Sequence, residues 1–371
     1  MKIAIVISAG VALVFALLAW RAAMRRRNRF VPRFGIDVLA ERLEMEPDAL
    51  RRFTPSYQVH AIDKRGPYRS SREKRTLHIP SGYTMGLQRK ILVRILRDLK
   101  AHPAALGFEK GTSTALNASA HTRQAVVLKM DVIDFFRSTR SERIQDYFRS
   151  IGWDEESAEI LTRVTTHEGG LPQGAPTSPA LSNRVNFLLD VEITQRAGYR
   201  RATYTRYADD ITVSFPNDSG GSVRGMEQAV RRAARRHGYR VHKRKKLRVL
   251  RSHQSQQVTG LVVNEGPRLP RKTRRWLRAV EHRLKTGGAA TLTQEQLDGW
   301  KAYKADVDGV RTRKEQELRD SITAALRKNQ GSLTATASQL RMPLRALKRH
   351  MKALGLWKPP SRKSPRGKTS V

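Results

Sequence analysis

Apolar residues recur at helical spacing over much of the chain. The pattern predicts an amphipathic helix within residues 37–53 and a stronger one within residues 85–99, where the apolar side chains share one face. Further helices are predicted at 141–150, 155–166, 180–197, 225–237 and, with many cations, after Pro270. Residues 169–179 are rich in Gly and Pro, which predicts a loop between two of these helices.

Other segments have the pattern of β-strands. The apolar run 125–130 predicts a buried strand that ends at Asp131. Residues 204–215 predict a hairpin, because apolar and polar positions alternate after Asp210. Residues 258–263 predict one more strand. Strands interleaved with helices predict a mixed fold of the α/β class.

The beginning of the chain has a pattern of its own. An uncharged apolar run covers residues 3–20 and is long enough to cross a bilayer core of about 30 Å as a helix. Arginines crowd the segment just after it, whereas only Lys2 and the amino terminus precede it, so the positive-inside rule places the remainder in the cytoplasm. A cleavable signal peptide is the alternative, but it would carry its charge before the apolar run. We therefore expect a transmembrane anchor with a basic stop over residues 1–28.

The charge balance indicates a polyanionic partner. The 371 residues include 72 Lys and Arg against 33 Asp and Glu, a formal net charge of +39. Nucleic acid is the first candidate for that partner, and an anionic membrane surface or a merely soluble basic protein are the alternatives. The chain contains no cysteine, which excludes a disulfide framework, a thiolate metal site and a cysteine nucleophile.

Two adjacent aspartates, Asp209 and Asp210, stand out in this basic chain. Carboxylates crowded on a tight turn repel each other unless cations neutralise them. Mg²⁺ binds one or two carboxylates plus phosphates, and paired ions about 3.5–4 Å apart stabilise an in-line displacement. Asp131, at the end of a predicted strand, is the candidate for the further carboxylate that such a site needs. A polar hairpin tip without a function is the alternative.

The loop GGLPQGAPTSPALSN lies between the two acidic segments and leads into a predicted helix. A Gly-rich loop at a helix N-terminus offers backbone N–H groups to anionic ligands, although it can also be an ordinary connection.

The order of the motifs resembles bacterial retron reverse transcriptases. MDVIDFF, LPQGAPTSP, YADD, KRKK and VTGLVVN follow one another, and residues 117–121 and 258–260 resemble the NAxxH and VTG motifs of that family. The resemblance covers residues 34–283. It implies a right-hand polymerase over residues 29–314, with fingers, an α+β palm and a helical thumb. It also implies an RNA-directed DNA polymerase that copies a structured RNA into a short DNA, in anti-phage defence and together with an effector protein.

The resemblance assigns roles around the reaction centre. Asp131, Asp209 and Asp210 match the catalytic carboxylates, with Val132 lending a backbone carbonyl to one of two Mg²⁺ ions, for which Mn²⁺ is a possible substitute. The expected nucleotide-binding residues are Phe136 as a steric gate, Gln173 and Gly174 in the loop along the incoming dNTP, Lys74 and Arg75 at its triphosphate, and Lys245 as a general acid. The chain departs from the family pattern with His242 where Asn is common and Lys246 where Thr is common.

Cations in the second half of the chain are the expected contacts for the RNA template-primer and the cDNA product. In the predicted thumb helix these are Arg271, Lys272, Arg274, Arg275 and Arg278, with apolar residues between them that we expect to pack on the protein. Asn117 and His121 of the NAxxH motif are also expected to serve RNA binding or loop anchoring. A turn cap for Asn117 and a buried, satisfied histidine for His121 are the alternatives.

The C-terminal segment 315–357 predicts a small helical unit. It resembles a Fis-type helix-turn-helix, with Arg341 where Gly is usual in the turn, and Lys348 and Arg349 would then meet nucleic acid. A thumb extension that binds structured RNA is the alternative. Residues 358–371 predict a disordered basic tail.

The expected protein is thus a retron-type enzyme attached to the cell inner membrane by a single span, with its catalytic domain in the cytoplasm. Two alternatives remain open from the sequence. One is another bacterial reverse transcriptase class, of the group II intron-like, diversity-generating or abortive-infection type. The other is a membrane-tethered nucleic-acid-binding protein without catalysis.

Overall fold

A computed structural model describes residues 33–66, 69–242, 246–340 and 342–357. The predicted anchor over 1–28, the predicted tail over 358–371 and the positions Lys245 and Arg341 lie outside these residues. Within the described ranges, no helix combines the length and the apolar character needed to cross a membrane.

The described strands form one four-stranded antiparallel sheet, in the order β4-β5-β3-β6, and two antiparallel pairs, β1-β2 and β7-β8. The strands are β1 (Tyr57–Gly66), β2 (Arg69–Pro80), β3 (Val126–Asp131), β4 (Thr203–Tyr207), β5 (Asp210–Phe215), β6 (Arg248–Arg251), β7 (Gln257–Val258) and β8 (Leu261–Val262).

Besides a π-helical segment at Leu92–Leu96, α-helices precede, separate and follow these strands along the chain. They are α1 (Ile36–Leu43), α2 (Pro47–Arg52), α3 (Gly82–Ile91), α4 (Thr114–Ser119), α5 (Phe135–Ser138), α6 (Ser141–Ser150), α7 (Glu155–Thr165), α8 (Thr177–Val185), α9 (Phe187–Gly198), α10 (Gly220–Arg236), α11 (Arg271–Lys285), α12 (Gln294–Lys328), α13 (Leu333–Gln339) and α14 (Leu344–Ala353). The mixed α/β composition that the sequence predicts is confirmed.

The chain divides into two compact units. The first contains the described residues up to Ala101 together with Asp134–Asn186, and the second contains His102–Ile133 together with the described residues from Phe187 onward. In the first unit, the apolar faces of α1, α3, α6 and α7 meet in one core. Leu39, Ile91, Phe148 and Leu161 are fully buried there, as the helical spacing of these residues requires.

The second unit contains the four-stranded sheet. A core of apolar residues joins β3, the β7-β8 pair, α4 and α12, with Val127, Val258, Leu261 and Val310 almost completely buried. A separate cluster at the C-terminal end packs Ile322, Ala337, Leu347 and Met351 together. The helix α12 runs through the predicted boundary at 314/315, so that boundary lies within one continuous helix and not at a linker.

Several predicted elements differ from the structure in a physically clear way. The predicted helix 37–53 is two helices, because Glu44 takes the left-handed conformation (φ 52°) and Pro47 starts a new helix. The predicted strand 258–263 is the tight β7-β8 hairpin, because Thr259 and Gly260 both have positive φ (45° and 82°). The long β1-β2 hairpin was not predicted, since its many charged residues hide any apolar alternation.

Candidate active site

The sheet register brings the aspartates together. Asp131 ends β3 and lies directly opposite Asp210, the first residue of β5. The backbone N–H of Val132 donates to the carbonyl of Asp209 at 3.0 Å, which ties the end of β3 to the turn of the hairpin. Residues 131, 209 and 210 are thus neighbours although the chain separates them widely, as the resemblance implied.

The turn between β4 and β5 is tight, and segment 104–107 packs against it. Ala208 has a positive φ of 56°, which few residues with a side chain adopt. Segment 104–107 runs beside β4: Arg206 N–H donates to Ala104 O at 2.7 Å, and Leu106 N–H donates to Arg206 O at 2.8 Å. Gly107 lies so close to the turn that an added Cβ would be 2.7 Å from Ala208 N.

A buried ion pair fixes β4 to helix α9. Arg206 and Asp190 are both fully buried, and two hydrogen bonds join them, Nε to Oδ1 at 2.8 Å and Nη2 to Oδ2 at 2.6 Å. Tyr204 donates to the same carboxylate at 2.7 Å, and Arg206 also donates to the carbonyl of Ala208 at 3.2 Å. The network holds the strand that leads into the Asp209–Asp210 turn.

The electrostatics of the site are those of crowded carboxylates. Burial raises the pKa of Asp209, and the nearby charges of Asp131 and Asp210 raise it further. Lys129 Nζ lies 3.7 Å from an oxygen of Asp210. The site therefore favours added positive charge, which divalent cations would supply.

Lys246 and His242 are functional candidates that the sequence alone did not identify. Lys246 Nζ donates to both oxygens of Asp131 at 2.8 Å, and His242 Nε2 lies 3.4 Å from one of them. Partial burial lowers the pKa of Lys246. The hydrogen bond to Asp131 and the negative charges of Asp131, Asp209 and Asp210 have the larger effect, so the pKa is raised overall. The two departures from the family pattern therefore meet at the carboxylate of Asp131, and that shared deviation was the available clue.

The three aspartates offer the oxygen ligands that a divalent metal prefers, but their side chains are not yet arranged around a metal. Asp131 is 7% exposed, and its carboxylate already binds a cationic side chain, which a metal ion would replace. The carboxylate oxygens of the three aspartates do not all lie within 4.8 Å of one another. In the described part of the chain, the one set of three acidic or histidine ligand atoms that meets this distance belongs to other residues. A metal would have to displace Lys246 and draw the carboxylates together.

The NAxxH and VTG motifs form one buried network in the second unit. Thr205 donates to Asn117 Oδ1 at 2.7 Å, and Asn117 Nδ2 donates to Thr259 Oγ1 at 3.4 Å. His121 Nε2 lies 2.7 Å from Thr205 Oγ1 and its Nδ1 lies 2.8 Å from Ser214 Oγ. Asn117 is 1% exposed and His121 is completely buried, so neither side chain offers a surface to RNA. The expectation of nucleic-acid contact is corrected for both: they hold β4 and β5 in place, in agreement with the alternative of a satisfied buried histidine.

Five of the expected nucleotide-binding residues belong to the first unit, and the sixth, Lys245, lies outside the described residues. Lys74 and Arg75 are exposed on β2, and Gln173 accepts a backbone hydrogen bond from His78 at 2.8 Å. Gly174 has a φ of 121°, which favours glycine, and an added Cβ would lie 3.2 Å from the carbonyl oxygen of His78. Phe136 is half-buried at the edge of the core, whereas Phe135 is buried; both lie in the short helix α5 and not on a strand.

The expected nucleic-acid contacts lie on two helices of the second unit. The α11 residues Arg271, Lys272, Arg274, Arg275 and Arg278 are exposed, while Thr273 and Val280 of the same helix are buried. Lys348 and Arg349 are exposed on α14, where Leu347 and Met351 face the C-terminal cluster. The predicted division of the thumb helix into an apolar and a cationic face is confirmed.

Comparisons with known proteins agree with this site. The family of reverse transcriptases (RNA-dependent DNA polymerases) matches residues 62–276. Retron Ec86 reverse transcriptase of Escherichia coli is 31% identical over 279 residues, which covers 72% of this chain and 82% of that relative.

Two relatives from Myxococcus xanthus are also similar. Retron Mx162 reverse transcriptase is 32% identical over 76% of this chain and 66% of its own length, and retron Mx65 reverse transcriptase is 35% identical over 67% of this chain and 60% of its own length. The matched region includes all three aspartates, which the structure brings together. The chain therefore belongs to the reverse transcriptase family and is an RNA-directed DNA polymerase of the retron type.

Proposed function

We propose that this retron-type reverse transcriptase copies a structured RNA into a short DNA and uses two Mg²⁺ ions held by Asp131, Asp209 and Asp210. The register of β3 against β5, which sets Asp131 opposite Asp210, carries the proposal. The ions would stabilise the attacking hydroxyl and the leaving pyrophosphate. Mn²⁺ is a possible substitute, because it accepts the same oxygen ligands.

The chain's own residues prepare the site for this charge. The backbone bond from Val132 to Asp209 and the buried Arg206–Asp190 pair keep the carboxylates in register. Lys246 offsets the charge of Asp131, and its raised pKa keeps it protonated, so that it is also a proton source close to the expected pyrophosphate. We assign to Lys246 the acid role that the resemblance gave to Lys245.

The remaining expected residues are proposed contacts of the substrates. Phe136, Gln173, Gly174, Lys74 and Arg75 would contact the incoming dNTP, and the exposed cations of α11 would contact phosphates of the RNA template-primer and of the cDNA. Exposure and charge support Lys74, Arg75 and the α11 cations, which lie on the face opposite the buried Thr273 and Val280 of that helix. Phe136, Gln173 and Gly174 rest on the resemblance.

Primer extension on an RNA template with dNTPs tests the site assignment. The double variant Asp209→Asn, Asp210→Asn should lose activity by about a thousandfold, because metal-ion stabilisation is worth several kcal/mol. Asp218→Asn, which changes an exposed aspartate bound to Arg251, is the matched control and should retain activity. Equal activity of the double variant and the control would refute the assignment.

Sequencing of the nucleic acid that co-purifies with the protein tests the substrate. A branched RNA–DNA molecule of one discrete length would support a structured RNA that supplies its own priming hydroxyl. DNA of heterogeneous length and sequence would contradict it.

We further propose that residues 1–28 anchor the protein in the inner membrane with the catalytic part in the cytoplasm. The apolar run 3–20 and the arginines that follow it support this. Cell fractionation of the full chain and of a variant that begins at Arg29 tests it. Recovery of both in the same fraction would reject the anchor.

A role in anti-phage defence, with a separate effector protein, is proposed from the retron resemblance. Plaque counts on cells that express the full retron should rise when Asp209 and Asp210 are both changed to Asn. Unchanged counts would argue that DNA synthesis has no part in defence.

A further inference from the structure

A second group of ligand-type side chains lies in the first unit, which contains none of the three aspartates. His78 of β2, together with His167 and Glu168 in the turn after α7, brings three ligand atoms within 4.8 Å of one another. We call these three residues the His–Glu cluster. The reverse transcriptase reaction described above does not use them.

The backbone presents the cluster in a defined way. His167 and Gly170 exchange two backbone hydrogen bonds, of 2.8 Å and 3.2 Å, which close a tight turn. Glu168 takes the left-handed conformation in this turn, with a φ of 49°. On the other side, the N–H of His78 donates to the carbonyl of Gln173 at 2.8 Å, so β2 is held beside the same loop.

Ring packing orients the two imidazoles. The Tyr57 ring lies 4.3 Å from the His167 ring at 30°, and the His78 and His167 rings are 5.0 Å apart at 51°. The single proton of the Tyr57 hydroxyl is shared between the carbonyls of Val164 and Thr166, at 3.4 Å and 3.3 Å, which orients the tyrosine. The histidines are therefore held in place before any ligand arrives.

The polar atoms of the cluster are incompletely satisfied. Nδ1 of His78 is buried, and among the described residues it has no hydrogen-bond partner. Glu168 Oε1 lies 4.0 Å from His167 Nε2, while Oε2 is 3.4 Å from Arg137, in an exposed ion pair that is weak in water.

We propose that His78, His167 and Glu168 bind one zinc ion, at a site separate from the catalytic aspartates. Two imidazoles and one carboxylate are a ligand set that zinc accepts, and a solvent molecule would complete the tetrahedron because His167 and Glu168 are partly exposed. The ion would join β2 to the turn 167–170. Since His78 also pairs with Gln173, zinc would stiffen the loop that includes Gly174.

Zinc affinity of the full chain tests the proposal, measured by competition with a chromophoric chelator. The parent for these measurements carries Asp209→Asn and Asp210→Asn, so that the catalytic site does not contribute. One zinc ion per chain is expected, and His167→Gln or Glu168→Gln should weaken binding at least about tenfold, the loss already seen for residues that only support a ligand.

The chain has ten histidines, so a histidine control is needed. His60→Gln changes an exposed histidine of β1, next to the cluster's strand, and should leave the affinity unchanged. Failure of the parent to retain zinc, or equal affinity of the His60 and His167 variants, would overturn the proposal.

If the His167 variant does not fold, the Glu168→Gln variant still tests the zinc site. Glu168 is half-exposed at a turn, and Gln keeps its shape. Zinc should raise the Tm of the parent, because a ligand that binds only the folded state stabilises it, and should raise that of Glu168→Gln much less. An equal rise in Tm for both proteins would exclude Glu168 as a ligand and overturn the three-residue site.

Discussion

Of the three carboxylates proposed to bind metal, Asp131 makes the most contacts with cationic side chains. Lys246 binds both of its oxygens, and His242 approaches one of them. A metal ion must therefore compete with a side chain of the same protein. Because Lys246 is half-exposed, the competition is modest, and we expect it to adjust the metal requirement without preventing catalysis.

Replacing Lys246 with Met should lower the Mg²⁺ concentration for half-maximal activity by about threefold, since a half-exposed ion pair contributes less than about 1 kcal/mol. The maximal rate should fall if Lys246 is the acid for pyrophosphate. Magnesium titrations of primer extension measure both effects. Lys246→Arg keeps the cation and is the control, and a Mg²⁺ dependence of Lys246→Met equal to that of Lys246→Arg would contradict the competition.

His121 is buried as a neutral imidazole with a defined tautomer. The Thr205 hydroxyl donates to Asn117, so it accepts a hydrogen bond from the Nε2–H of His121, and His121 Nδ1 accepts one from the Ser214 hydroxyl. Burial, with a smaller contribution from Lys129, lowers the pKa of His121 to about 3. Protonation would remove the acceptor that Ser214 needs.

Acid should therefore destabilise the protein through His121. The unfolded histidine gains a proton below about pH 6.5, whereas the folded one gains it only near pH 3, so the stabilisation is present above pH 6.5 and is lost as the pH falls towards 3. At about 1.4 kcal/mol per unit, the drop from pH 6.5 to 5 should cost about 2 kcal/mol. Urea unfolding at pH 7 and pH 5 measures this loss in the free energy of unfolding. The same loss in His121→Gln would show that other groups are responsible.

The β4-β5 hairpin positions the Asp209–Asp210 turn, and three sets of contacts hold the hairpin in place. Segment 104–107 pairs with β4, the Arg206–Asp190 pair ties it to α9, and the NAxxH network reaches both strands. Asp209 and Asp210 are thus positioned by side chains and backbone groups that take no part in the proposed reaction.

Gly107→Ala should displace the turn, because the new Cβ would lie 2.7 Å from Ala208 N and backbone cannot move aside easily. Since a shift of about 1 Å at a reacting group can cost about a hundredfold, we expect a tenfold to hundredfold loss in the single-turnover rate of nucleotide addition. Gly221→Ala, in α10 where a Cβ meets nothing within 4 Å, is the matched control. Full activity of Gly107→Ala would show that the turn tolerates the displacement.

Positive charge dominates the molecule as a whole, with a formal net charge of +39. Charge of this size promotes binding to any polyanion, and only cations that meet phosphates contribute to the salt dependence of affinity. Among the described helices, α11 presents an exposed cationic face that is a candidate for those phosphate contacts.

Changing the five α11 cations, from Arg271 to Arg278, to Gln should reduce the slope of log affinity against log salt by about 3 to 5, since each phosphate contact contributes about 0.7–0.9. RNA binding measured across a salt series gives this slope. Lys304→Gln is the control, because Lys304 is already paired with Asp308 at 2.7 Å, and its slope should not change. An unchanged slope in the five-residue variant would place the phosphates elsewhere.

Local spacing and residue chemistry were enough to predict most helices, the buried strand 126–131, the acidic hairpin and the retron resemblance, because these depend on periodicity and on motifs within short segments. Beyond the proximity of Asp131 to Asp209 and Asp210, which the resemblance implied, contacts between distant residues were not accessible in this way. Lys246 is 115 residues from Asp131, and Asn117 is 142 from Thr259. Polar motif residues suggested RNA contacts, but folding buries Asn117 and His121, and their side chains bond Thr205, Ser214 and Thr259 instead. Burial and partner choice are set by packing across the whole chain, and no short segment encodes them.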